Sequence, residues 1–197
     1  LGQFQIFVKM CASRVGQLLN LSALAQDCGI THNTAKSWIS VLESSGIVFL
    51  LKPYHNNYGK RLVKSPKLYF VDTGVVCRLL GIKDAEQLFM HPNRGNIFEC
   101  FVVAEMLKNR LNKGLSPELY FWRDNTGNEV DVIYEDGSVI RSVEIKSGKT
   151  FSTEYTSGLE TWMRFSGEDP ASCSIVYAGN MEMKMKEITV KKWISVE

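Results

Sequence analysis

The chain reads as an α/β protein in two parts. A basic, mainly helical first half ends in a pair of strands, and an acidic second half alternates strands and helices around a central mixed sheet. Three observations predict this. Residues 1–95 hold eleven Lys/Arg against five Asp/Glu, a net of +6, whereas residues 96–197 hold twelve against sixteen, a net of −4. Apolar residues recur at helical spacing early in the chain and with period two in several later runs. The stretch His91-Pro92-Asn93-Arg94-Gly95 is polar and helix-breaking and lies where the charge balance flips, which divides the chain into domains at 1–92 and 93–197.

In the first half, Phe4, Phe7, Val8 and Cys11, followed by Val15, Leu18 and Leu19, predict a helix over residues 4–19. Residues 21–30 predict a short helix capped by Ser22 and closed near Gly29. Thr31 caps the next helix, over residues 32–43, which stops at Ser44-Ser45-Gly46. An internal Ala, a Gly turn, then Thr and a helix ending in Leu-Glu form a helix-turn-helix signature. Strands over residues 47–54 and 67–72 enclose a polar tip and complete a winged helix.

On the helix over residues 32–43, His32, Asn33, Lys36, Ser37 and Ser40 are small or hydrogen-bonding, as a helix entering a DNA groove requires. Residues 50–67 carry Lys52, Lys60, Arg61, Lys64 and Lys67 and no acid, and five cations on a hairpin tip suit phosphate contacts. The competing expectation is a packing module whose basic loop docks on the acidic second half.

Further along, residues 75–80 and 84–90 predict short helices. The second half then predicts a helix over 96–109, a strand over 119–123, hairpin strands over 129–134 and 138–146, a helix over 153–164, and strands over 174–178 and 187–194. Arg123 has two candidate partners, a phosphate or Glu129. Trp162 and Phe165, at helical spacing, are expected in the core rather than as a base-stacking platform.

The most informative stretch is residues 129–146, E-V-D-V-I-Y-E-D-G-S-V-I-R-S-V-E-I-K. Side chains alternate along a strand, so Glu144 and Lys146 share one face while Val143 and Ile145 take the other. Two carboxylates, Asp131 and Glu144, with an ammonium beside them suit a Mg²⁺- or Mn²⁺-dependent phosphodiester cutter: oxygen ligands hold the hard cation, and a lysine orients or deprotonates water.

This pattern resembles the PD-(D/E)XK nuclease superfamily, the restriction-endonuclease-like fold. There, an acid on the first helix precedes an Asp on a hairpin strand and an (Asp/Glu)-x-Lys on the next. Glu99 in N-I-F-E-C-F-V-V-A-E-M-L-K is the matching helix acid, with Glu105 a second candidate, and Val130 stands where the motif's name has Pro. The resemblance implies a metal held by Asp131, Glu144 and the Ile145 carbonyl, with Glu99 in support and Lys146 positioning water.

More broadly, the chain resembles the C-terminal part of a large prokaryotic family of AAA+-type ATPases, in which a P-loop ATPase precedes a winged helix and a restriction-endonuclease-like domain. L-K-P-Y-H-N-N-Y-G-K-R-L-V-K-S-P-K-L-Y-F-V-D-T-G, R-G-N-I-F-E, F-W-R-D-N-T-G-N-E-V-D and V-E-I-K-S carry it. The implied partners are DNA and the N-terminal ATPase domain of the same protein, with oligomerisation left open. The implied activity is that of a metal-dependent endonuclease, and the alternative is an inactive DNA-binding or protein-interaction adaptor. A transcriptional regulator using only the winged helix ranks last, since it leaves the acidic constellation without a role.

ATP is not expected to bind this segment. Ser147-Gly148-Lys149-Thr150 imitates the end of a phosphate-cradling loop, but the required upstream glycine is Val143. Five scattered cysteines without a C-x-x-C pair disfavour zinc and disulfides, and no run suits a membrane span or signal peptide, so a cytoplasmic protein is expected. The start at Leu1, without Met, predicts a fragment whose upstream part is missing.

Overall fold

A computed structural model describes residues 2–54 and 63–196. Its elements are α1 (Gly2–Ser13), α2 (Leu21–Asp27), α3 (His32–Ser44), β1 (Val48–Pro53), β2 (Lys67–Phe70), α4 (Thr73–Leu80), α5 (Ala85–Met90) and α6 (Arg94–Asn112). Then come β3 (Tyr120–Arg123), β4 (Glu129–Asp136), β5 (Val139–Lys146), α7 (Ser157–Ser166), β6 (Cys173–Tyr177), β7 (Met183–Met185) and β8 (Ile188–Lys192). Along the hydrogen bonds the strand order is β2-β1-β3-β4-β5-β6-β8-β7, a mixed sheet of eight strands. Among the described residues no helix is long and apolar enough to cross a membrane.

The chain divides into two compact units, Leu1–Leu51 with Ser65–Ala104, and Lys52–Lys64 with Glu105–Glu197. Both β1 and α6 run through this division.

In the first unit, α3 buries Ala35, Ile39 and Leu42 at helical spacing. Trp38 fills the space beside them, edge-on to Phe4 and Phe7 with ring centroids at 5.1 and 5.2 Å. Thr31 caps α3 by accepting from the Thr34 N–H at 3.1 Å. Two expectations are corrected here. Helix α2 is capped by Asn20, which accepts from the Ala23 N–H at 3.0 Å, rather than by Ser22, which lies inside the helix. Helix α1 ends at Ser13 and not near residue 19. The backbone beyond it exchanges bonds with β2 and its approach instead: Gly16 N donates to Leu68 O, Leu68 N to Gln17 O, and Leu19 N to Pro66 O. Strand β1 then pairs antiparallel with β2 from Val48↔Phe70 to Leu51↔Lys67.

In the second unit, Lys52 and Pro53 at the end of β1 run parallel to β3. Strands β3, β4 and β5 form an antiparallel meander, after which β5, β6 and β8 run parallel. A parallel pair needs a crossover, and α7 supplies it between β5 and β6. Its apolar face, Leu159 and Trp162, packs with Trp122, Val130, Ile133, Ile175, Tyr177 and Val190 in one buried cluster. Trp162 is therefore a core residue, as its spacing indicated. Burying large aromatic and branched side chains supplies the main driving force for this unit. Among the described residues, β7 is the one strand the sequence did not predict. It is three residues long and joins β8 through a turn in which Lys186 and Glu187 take positive φ.

Candidate functional site

The acidic constellation is built on the β4–β5 hairpin of the second unit. Its approach is set by the loop between β3 and β4. Asp124 is buried, and its Oδ1 accepts from the Thr126 N–H at 2.9 Å, the Thr126 hydroxyl at 2.8 Å and the Asn128 N–H at 3.0 Å. Its Oδ2 accepts from the Asn128 side-chain amide at 2.9 Å. Burial acts to raise the Asp124 carboxyl, but these hydrogen bonds from Asn128 and Thr126 outweigh it and hold the group below its ordinary value. The loop delivers Glu129 into β4, where Arg123 Nη1 sits 3.2 Å from Glu129 Oε2. Glu129 is one of the two partners expected for Arg123.

One extra residue then shapes β4. Tyr120 pairs with Ile133 and Trp122 with Val130, so two steps on β3 match three on β4. A bulge of this kind re-aims a side chain, and it lies across Asp131 and Val132. Val130 and Ile133, three positions apart, consequently both enter the apolar cluster.

Asp131 is buried, and its Oδ2 accepts the backbone N–H of Ile145 at 2.7 Å. The β4–β5 ladder runs from Asp136↔Val139 to Val132↔Val143, so this side-chain bond takes over where the ladder stops. Ile145 lies between Glu144 and Lys146, whose carboxylate and ammonium pair with each other on the face predicted from strand alternation. Glu144 is buried and Lys146 half-buried. Glu129 and Asp131 offer carboxylate oxygens within 4.8 Å of one another. Helix α7 comes close through Gly158: a Cβ there would collide with the Glu129 carbonyl oxygen and lie 3.3 Å from Glu144 Oε2. The donor set is made of carboxylate oxygens, which suits a hard divalent cation and not a thiolate- or imidazole-seeking metal.

Glu99 belongs to the first unit. Lys67 Nζ donates to its Oε1 at 2.8 Å, and the Tyr69 hydroxyl donates to the same oxygen. Lys67 is buried, so it does not join the exposed cations expected over residues 50–67. Glu105 pairs with Lys108 at 2.7 Å on α6.

On α3, His32, Asn33, Lys36, Ser37 and Ser40 are all exposed, opposite the buried Ala35, Ile39 and Leu42. Lys64 is exposed as well, while Lys60 and Arg61 lie outside the described residues.

Sequence reasoning gave no role to Asp124, Gly158 or the Lys67–Tyr69 pair, and gave Glu129 only its arginine. The D-N-T-G-N run carried a usable signal for Asp124, since Asp and Asn side chains bind their own backbone two to four residues on. Gly158 carried none, because its reason is a neighbour remote in sequence.

Residues 94–195 match a family model described as a domain of unknown function, DUF4143, and residues 1–86 match a second, DUF8612. Over 142 residues the chain is 34% identical to the uncharacterized protein Rv2008c of Mycobacterium tuberculosis. It is equally similar to the uncharacterized protein Mb2031c of Mycobacterium bovis. The match covers 72% of this chain and 31% of each relative, so the chain spans about a third of the length of the curated relatives it matches. No solved structure matches. With more than half of its residues under the DUF4143 model, the chain belongs to the DUF4143 family.

Proposed function

We propose that this chain is the DNA-binding, nuclease-like C-terminal portion of an AAA+-type ATPase: a winged helix followed by a restriction-endonuclease-like domain that hydrolyses phosphodiesters with Mg²⁺ or Mn²⁺. The observation that carries the reading is the Asp131–Ile145 bond, which fixes one carboxylate beside the Glu144–Lys146 pair and within 4.8 Å of Glu129.

In this reading Asp131 and Glu144 hold the cation. A bound divalent ion supplies Lewis acidity and a water acidified toward neutral pH. Asp131 is held rigid by a backbone donor, so it loses little freedom when it becomes a ligand. Lys146 shares its charge with Glu144 and orients the attacking water. Exposed donors of α3 meet base edges or phosphates, and Lys64 with the wing cations meets phosphates.

Calorimetry with Mn²⁺ on the wild type and on Asp131→Asn tests the metal site, and plasmid cleavage with the same two proteins tests the chemistry. Metal affinity lost in the variant is the expected result. Equal affinity in both proteins rejects the assignment.

One observation favours a second reading, an inactive adaptor. Glu144 and Glu129 already have cationic partners in Lys146 and Arg123, so two of the three carboxylates of the constellation are charge-compensated without a metal. A DNA-binding salt series separates the readings. Phosphate contacts give a log–log slope of about −0.9 per neutralised phosphate, and an adaptor gives no binding to titrate.

A further inference from the structure

A second polar centre lies on the same hairpin, nearer its turn. Tyr134 and Arg141 are cross-strand partners, each three residues from Asp131 and Glu144, or about 10 Å along each strand. They line a cavity of about 270 Å³ that also takes in Ser174 on β6 and Thr189 and Lys191 on β8. Ser174 and Thr189 are themselves partners in the β6–β8 ladder, and Lys191 follows two residues later on the same face.

The lining is rich in donors. Arg141 and Lys191 bring two positive charges and Asp136 one negative, while Tyr134, Ser174 and Thr189 bring hydroxyls. A third cation stands beside the cavity, with the Arg110 guanidinium 5.1 Å from the centre of the Tyr134 ring. Burial pushes the Tyr134 phenol up, so it stays a neutral O–H donor near pH 7. Arg141 meets Asp136 at 3.4 Å with both side chains well exposed (39% and 61%). Such surface pairs contribute little, and the guanidinium can turn to a stronger anion. Lys191 has no salt-bridge partner among the described residues. The cavity is smaller than the roughly 300–1,000 Å³ of sites for drug-sized ligands. Donors arriving from four strands suit a compact tetrahedral oxyanion better than a planar carboxylate.

We propose that this cavity is a phosphate-binding site, independent of the metal centre, in which Arg141, Lys191 and the Thr189 and Tyr134 hydroxyls hold a single phosphate group. The group is either free phosphate or the terminal phosphate of a nucleic acid strand.

The test is a calorimetric titration of the chain with inorganic phosphate at constant ionic strength, on the wild type, Lys191→Gln, Arg141→Gln and Thr189→Val. Saturable binding is expected, weakened about tenfold or more by either cation substitution. Thermal midpoints measured without phosphate show that each variant is folded. Absence of saturable binding by the wild type, or wild-type affinity retained in either cation variant, overturns the proposal. Repeating the titration with 5′-phosphorylated and 5′-hydroxyl oligonucleotides identifies the source: a strand end is held if only the phosphorylated one depends on Lys191, free phosphate if neither does. Asp131→Asn leaves phosphate binding intact, so failure of the nuclease reading is separable from failure of this one.

Discussion

Lys67 and Glu99 form a largely buried ion pair, with Nζ 2.8 Å from Oε1 and side-chain exposures of 4% and 15%. Removing the ammonium alone leaves a carboxylate in a low-dielectric setting, which is far more damaging than removing both charges. Lys67→Met is expected to destabilise the fold by about 3–5 kcal/mol. Lys67→Met with Glu99→Gln should recover much of that loss. Urea unfolding of the two variants beside the wild type measures the difference.

Asp131 offers a way to separate architecture from chemistry. Asparagine keeps an oxygen that can accept the Ile145 N–H, so Asp131→Asn should unfold within about 1 kcal/mol of the wild type. Asp131→Ala removes the acceptor and should lose about 1–3 kcal/mol. Both should lose Mn²⁺ affinity. Chemical denaturation and calorimetry on the same samples check the two halves of this statement.

The Asp124 loop makes acid stability predictable in sign. Its hydrogen bonds lower the folded carboxyl below the ordinary value of 3.8. The contribution is therefore complete above that unfolded value and disappears as pH falls through the lower folded one. Glu160 acts in the same direction, lowered by hydrogen bonds from Thr156 and Lys186. Asp124→Asn should be less stable than the wild type at neutral pH, with the gap narrowing as pH falls below 3.8. Urea midpoints taken across the acid range read this directly.

Gly158 is required by closeness and not by an unusual φ. Any Cβ there drives α7 away from the Glu129 carbonyl oxygen. Gly158→Ala should destabilise by about 1–3 kcal/mol despite the better helix propensity of alanine. Gly158→Val should do more damage still. Thermal melts of the two variants give the ranking.

Much of the hairpin was legible because its signals were local. Alternation along residues 129–146 and the Asp136-Gly137-Ser138 turn identify two strands, and strand alternation alone puts Glu144 and Lys146 on one face. The exposed face of α3 was legible in the same way, from the helical spacing of Ala35, Ile39 and Leu42. Other features depended on distant partners. All four residues of β2 are buried, so no alternation marks Lys67 as interior, and a count of cations over residues 50–67 takes it for part of the wing. Asn20 and Ser22 are both good caps, and only the backbone course after α1 decides between them. At three residues, β7 is too short to show a period.

The extra residue between Val130 and Ile133 ties the heading of Asp131 to the interior of its domain. Shortening β4 by one position would restore a regular pleat, turning either the carboxylate or one of the two flanking apolar side chains to the wrong side. Any lineage or designer altering that acid's direction must therefore rebuild the hydrophobic floor beneath it in the same stroke.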